Sequence, residues 1–260
     1  MTGPLLYPPA DHSTQWVGKG SVTMPMTHVK WLQHTTETAG GWPSYDYGGV
    51  TMGSAPTLTY EPWQHKWRQH FEINQSARAL QNDGSFYTNR VDVVQTEISC
   101  YCDHNLAAQY GHSVLGLDQQ AIEDLAEFGV WLVKEWGMKP DSFYPAAIPW
   151  PAYPNGCTRM STTAFAGFTG IVGHMAAPGN SHLDPGDLDN AALKTRMDAL
   201  LTPTEPPPVK FPLIRDWRIR KANSNTAGKA VVAAHPDMKV LGAMLTQDEA
   251  DWVTLHKAEN

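Results

Sequence analysis

The stretch 28–34 carries Val29, Trp31 and Leu32, so an extended chain here would show apolar side chains on both faces. That is the pattern of a strand in the middle of a sheet covered on two sides. Other segments supply it with neighbours. Residues 55–60 and 67–73 read as short strands. Residues 91–100 read as another, with Gln95, Glu97 and Ser99 on one face and Val94, Thr96, Ile98 and Cys100 on the other. The clearest helix spans 119–136. Asp118 is its N-cap and Gly137 its stop, while Ile122, Leu125, Gly129, Leu132, Val133 and Trp136 recur at helical spacing. A second helix is expected to start after Ser161 and run to near Gly173 with Phe165, Phe168 and Val172 inward, which would put His174 just past a helix C-terminus. A third is expected over 188–201.

Residues 1–27 are rich in Pro, Gly, Ser and Thr and are expected to wrap the surface. At the other end, 202–209 read as a linker stiffened by Pro206, Pro207 and Pro208. Beyond it, 210–260 form a short extension in which Thr246, Gln247, Asp248 and Glu249 make a capping-box pattern. So short a piece makes a poor core of its own. It either binds elsewhere or packs on the main domain through Trp217, Leu241 and Trp252.

A chain of 260 residues can bury one full-sized core with a short remainder. The charge balance is mildly acidic, with 26 Asp and Glu against 19 Lys and Arg, and the one short basic run, 215–221, suits a solvated surface. Nucleic acid is therefore not an expected partner. No stretch has the apolar length of a membrane span. The first residues lack the basic and apolar regions of a signal peptide, so synthesis in a cytoplasm is expected. Cys100, Cys102 and Cys157 form no paired framework, and buried reduced thiols are expected. Ten tryptophans suit core packing, with some free to stack on sugar or peptide faces.

The chemistry concentrates in residues 173–186, where His174, His182 and Asp184 fall within eleven positions, followed by Pro185 and Gly186. Ligands on a turn-forming segment suit a metal ion, because the loop sets donor directions beforehand. A catalytic zinc site takes three protein ligands, so one must come from elsewhere, and His34 at the end of the first strand is the candidate. The glycine-rich loop that follows it offers Trp42, Tyr45 and Tyr47 as substrate contacts. The remaining histidines, such as His65, His70 and His112, read as hydrogen-bonded structural residues, and Glu37 as a helix-end or solvent-facing acid.

Three patterns in this order resemble the type 2 N-acetylmuramoyl-L-alanine amidase family, with the flavour of the lysin A endolysins of actinobacteriophages. They are His34-Thr35-Thr36-Glu37 at a strand end, Gln95-Thr96-Glu97-Ile98 in mid-chain, and Gly173-His174 followed by His182-Leu183-Asp184-Pro185-Gly186. The resemblance covers about residues 31–201. It implies one Zn²⁺ per chain held by His34, His174 and Asp184, with Glu97 handling the proton of the attacking water. It places His182 where some relatives carry an oxyanion-stabilising lysine. His182 is open to two other readings, as a ligand in place of Asp184 or as a loop residue. Relatives often carry an acid where this chain has Ala176.

The expectation is an α/β domain over 28–201. A mixed central sheet carries helices on both faces and a zinc cleft along one edge. The resemblance implies a monomer acting on bacterial peptidoglycan, without membrane insertion, after release from the host cytoplasm through a holin. Two rivals are a non-catalytic peptidoglycan-binding module on the same fold and a cysteine hydrolase built on Cys157, seventeen residues before His174.

Overall fold

All six residues of the strand that carries His34, Lys30–Thr35, are buried, and both of its edges are taken by parallel neighbours. The computed structural model describes residues 3–13, 22–43, 45, 54–145 and 153–202. In chain order the elements are β1 (Ala10–Asp11), β2 (Lys30–Thr35), β3 (Leu58–Glu61), β4 (Lys66–Gln69), β5 (Val93–Ile98), α1 (His104–Tyr110), α2 (Gln119–Trp136), β6 (Phe143–Tyr144), α3 (Thr162–Gly167), β7 (Gly170–Gly173) and α4 (Asn190–Leu201). The seven strands form one mixed sheet in the order β1-β4-β3-β5-β2-β7-β6, in which only the β3–β4 pair is antiparallel. The α/β class follows.

The strand limits have local causes. The amides of Met26, Thr27 and His28 all donate to the Asp92 carboxylate, at 2.7–2.9 Å, so regular pairing of β2 begins only at Lys30. Asp92 itself sits at φ 56°, which breaks the extended chain and delays β5 to Val93. Strand β4 stops at Gln69, whose side chain accepts from the Tyr7 amide and donates to the Leu5 and Phe71 carbonyls.

Helix α2 matches the sequence pattern at both ends. Asp118 accepts from the Ala121 amide at 2.8 Å, and Gly137 closes the helix in the left-handed conformation at φ 70°. Its buried face includes Leu125, Phe128, Gly129, Leu132 and Trp136, whereas Ile122 and Val133 are only partly covered. Phe128 stands edge-on to Trp31 at 5.3 Å, while the Trp31 indole donates to Thr96 Oγ1 at 3.0 Å. Tyr60 donates to Asp124. These contacts put α2 on the Trp31, Thr96 and Tyr60 face of the sheet, where α4 packs against it. On the opposite face the α3 ring of Phe165 lies 5.4 Å from Lys30 Nζ.

Two expectations change. The apolar run after Ser161 is not one helix, because α3 ends at Gly167 and Gly170–Gly173 form β7, parallel to β2. A Cβ at Gly170, with φ 137°, would lie 2.2 Å from the Ser142 carbonyl oxygen, so the chain must pass here without a side chain and in a non-helical conformation. His174 accordingly follows a strand and not a helix. The N-terminal segment also does more than wrap the surface. Tyr7 is buried against Trp67, Phe128 and Trp131, and β1 pairs with β4. The linker beyond Thr202 and the extension 210–260, with Trp217 and the capping box at Thr246, lie outside the described residues.

The α2–α4 crossing closes over Gly129, where a Cβ would stand 2.9 Å from Met197 Cε and 3.0 Å from Trp31 Cζ3. Gly129→Leu should therefore destabilise the domain by about 1–3 kcal/mol through overpacking, read as a lower midpoint in denaturant unfolding. An unchanged midpoint would mean that Met197 swings aside without loss.

Candidate metal centre

Strands β2 and β7 run parallel with Gln33 opposite Gly173, so the next residue of each, His34 and His174, emerges side by side at the carboxyl end of the sheet. On the other side of β2, His34 is in register with Glu97 of β5. These side chains thus gather at the carboxyl ends of three parallel strands.

Asp184 completes the group from the loop after β7. That loop is pinned by the Met175 amide donating to the Asp184 carbonyl at 2.8 Å and by the Asn180 side chain donating to the His174 carbonyl at 3.1 Å. One donor atom each from His34, His174 and Asp184 lies within 4.8 Å of the others, and all three residues are buried. The Nδ1 atoms of the two imidazoles are 2.9 Å apart, and Asp184 Oδ2 is 3.1 Å from His174 Nδ1 and 3.4 Å from His34 Nδ1. Ligands bound tetrahedrally at about 2.0–2.2 Å from an ion stand roughly 3.3–3.6 Å apart, so small outward shifts would admit one.

The electrostatics point the same way. Asp184 is a buried carboxylate whose ion-pair partners among the described residues are all imidazoles. Burial opposes its charge, but the His174 and His34 contacts outweigh this and hold its pKa well below the usual carboxylate range. Burial, then His174, pushes His34 down to about 4, which leaves a neutral imidazole at neutral pH. Two imidazoles and a carboxylate are a donor set that zinc and other divalent first-row ions accept. His34, His174 and Asp184 therefore form a group that could hold a metal ion.

Glu97 lies beside this group, its Oε1 3.9 Å from His34 Nδ1 and its Oε2 buried without a hydrogen-bond partner among the described residues. Burial, then the Asp184 and Glu37 charges, raises its pKa well above the ordinary 4.5. His182 stacks on His174, with ring centroids 4.4 Å apart and planes 19° from parallel, and its Nδ1 is 3.6 Å from Asp184 Oδ1. Its side chain is 54% exposed, so it lies at the open side of the group. Burial, then His174, lowers its pKa below 6.5. Ala176 is fully buried in the core and supplies no charge to either histidine.

The proposed substrate contacts separate. Trp42 is half-buried, with the Arg68 guanidinium 4.3 Å above its ring, and the two line a surface pocket with Lys66 and His65. Tyr45 is 7% exposed and its hydroxyl pairs with Thr59 Oγ1 at 3.0 Å, which makes it an interior residue and corrects the expectation of a groove contact. Tyr47 lies outside the described residues. Cys100 and Cys102 are buried, as expected of core thiols. Cys157 packs against the core, and burial pushes its thiol up, the opposite of what a nucleophile requires. Glu37, expected at the surface, turns inward to the amides of Cys102 and Asp103. No protein-family model, curated protein or solved structure matches this chain.

The elevated Glu97 pKa has a consequence for the metal-free protein. A carboxyl that holds its proton more tightly when folded contributes stability that is full below the unfolded value near 4.5 and lost as pH rises through the folded value. In thermal unfolding of the metal-free chain, the parent should lose stability relative to Glu97→Gln as pH rises above 4.5. Parallel pH profiles for the two proteins would show that Glu97 is ordinary.

Proposed function

We propose that this chain is a zinc-dependent amidohydrolase that cleaves the bond between N-acetylmuramic acid and L-alanine in bacterial peptidoglycan. The observation that carries the reading is the convergence of buried His34, His174 and Asp184 with a charge-resisting Glu97 beside them, whose Oε2 has no hydrogen-bond partner among the described residues. The bond and the substrate rest on the order of the three sequence patterns, as does a role in phage-driven lysis of the host from within. The site alone would fit other amide or ester hydrolyses.

Each residue has a task that its surroundings suit. His34 and His174 present Nδ1, and Asp184 an oxygen, to one point. A zinc ion held there supplies Lewis acidity, polarising an amide carbonyl and acidifying water. Glu97 takes the proton of the attacking water on its carboxylate and passes it to the departing nitrogen. Its raised pKa favours keeping that proton until the nitrogen departs. His182, at the open side, offers an imidazole N–H to the carbonyl oxygen as it gains charge. With its pKa lowered, His182 is neutral at neutral pH and serves as a hydrogen-bond donor, not as a cation.

The reading sets apart its two rivals. A binding module would not need a buried carboxylate whose Oε2 lacks a hydrogen-bond partner among the described residues, set next to a group that could hold a metal ion. A thiol enzyme would survive a chelator and die on alkylation, whereas here the reverse is expected.

The metal-replete chain should carry about one Zn²⁺, and His34→Ala or His174→Ala should lose both the ion and the activity while keeping the fold. Metal analysis, circular dichroism and wall-lysis assays check this. Full activity in a chelator-treated, metal-free sample would overturn the proposal.

Mass spectrometry of digested peptidoglycan should find new free L-alanine amines without new reducing sugar ends. New reducing ends instead would make the chain a glycosidase. Glu97→Gln should retain zinc while turnover falls roughly 10²-fold or more.

A further inference from the structure

We propose that Glu37 is the positioning residue of the metal group, fixing both the strand end that carries His34 and the wall behind Asp184. The inference rests on the reading that His34, His174 and Asp184 hold an ion.

The Glu37 carboxylate is fully engaged. Its Oε1 accepts from the Cys102 amide at 2.8 Å and from Thr35 Oγ1 at 2.7 Å, while Oε2 accepts from the Asp103 amide at 3.3 Å. The backbone reinforces the same join, because the Thr36 amide donates to the Ile98 carbonyl and the Glu37 amide to the Cys100 carbonyl, both at 3.0 Å. Glu37 also stands at φ 52°, a left-handed conformation that a residue of its kind holds only when its surroundings impose it. One side chain therefore ties the exit of β2 to the segment that follows β5.

Two contacts carry this join to Asp184. The Thr35 amide donates to Asp184 Oδ2 at 3.2 Å, so the residue that Glu37 grips through its hydroxyl aims the ligand oxygen through its backbone. Gly186, two residues past Asp184, lies against Cys102 so closely that a Cβ there would be 2.6 Å from Cys102 Cβ. The ligand loop thus rests on the residue whose amide Glu37 holds. The carboxylate serves Asp184 from both sides without contributing a donor atom of its own. Partners of this kind, one shell behind the ligands, typically change metal affinity by about 10–100-fold when removed.

The chemistry also predicts how substitutions rank. Glu37→Gln keeps an oxygen for Cys102 and Thr35 but turns an amide N–H₂ toward the Asp103 N–H, two donors face to face. Glu37→Ala loses all three bonds.

The test is calorimetric titration of Zn²⁺ into the metal-free full chain and the two variants at neutral pH, with the melting temperature of each metal-free form. Zinc affinity should fall toward the upper end of about 10–100-fold in Glu37→Ala and toward the lower end in Glu37→Gln, by more than any accompanying fall in metal-free melting accounts for. Unchanged affinity in a folded Glu37→Ala overturns the inference. So does a loss of affinity that only tracks a loss of metal-free stability, since that marks a structural role. If Glu37→Ala does not fold, Glu37→Gln decides, and parent-like affinity in it overturns the inference. A parent chain that takes up no zinc overturns the metal reading first and this inference with it.

Discussion

The pairing of β2 with parallel neighbours on both edges is the constraint on which the rest depends. Parallel strands in matched register end at the same level, so β7, β2 and β5 deliver His174, His34 and Glu97 to one end of the sheet. Such carboxyl ends are where open α/β sheets commonly place their ligand crevices. The register is strongly specified because β2 is buried along its whole length. A slip of one residue would turn His34 toward the Trp31 face, against α2, and part it from both His174 and Glu97.

Within the site, two buried carboxylates are driven in opposite directions. Asp184 keeps its charge because imidazoles and the Thr35 amide surround it, while Glu97 resists charge because burial and the neighbouring Asp184 and Glu37 act on it together. Under the proposed function, this divergence would assign the cation to Asp184 and the proton to Glu97. The same burial lowers His34 and leaves its ring neutral, the state in which it can ligate. His182 lies at the open side of this arrangement, close enough to stack on His174 yet half in solvent.

Legibility in the sequence followed the range of the interactions. Helix α2 could be read to the residue, because Asp118 binds the amide three positions on and Gly137 closes a turn only a few residues long. The strand carrying His34 was readable from Val29, Trp31 and Leu32, but its start was not. That start depends on Asp92, more than sixty residues away in the chain. Phe168 and Val172 satisfy helical spacing as well as a buried strand does, and the choice fell to Gly170 and to pairing with β2. Tyr45 looked like a loop aromatic available to ligands and is instead covered, its hydroxyl spent on Thr59. Glu37 looked like a surface acid for the same reason: the amides it meets belong to a segment sixty-five residues on.

What the sequence determined by itself was the set of donor types, their order along the chain, and the α/β alternation that makes a central buried strand. These are properties of composition and local spacing, and they hold whatever the chain later packs against. Only the tertiary structure decided that His34 and His174, 140 residues apart, stand 2.9 Å from each other at Nδ1. It also decided that Glu97 resists its charge and that His174 leaves a strand and not a helix. The physical reason is that register, burial and field at a site are set by neighbours brought in from distant parts of the chain, and no local window of sequence contains them.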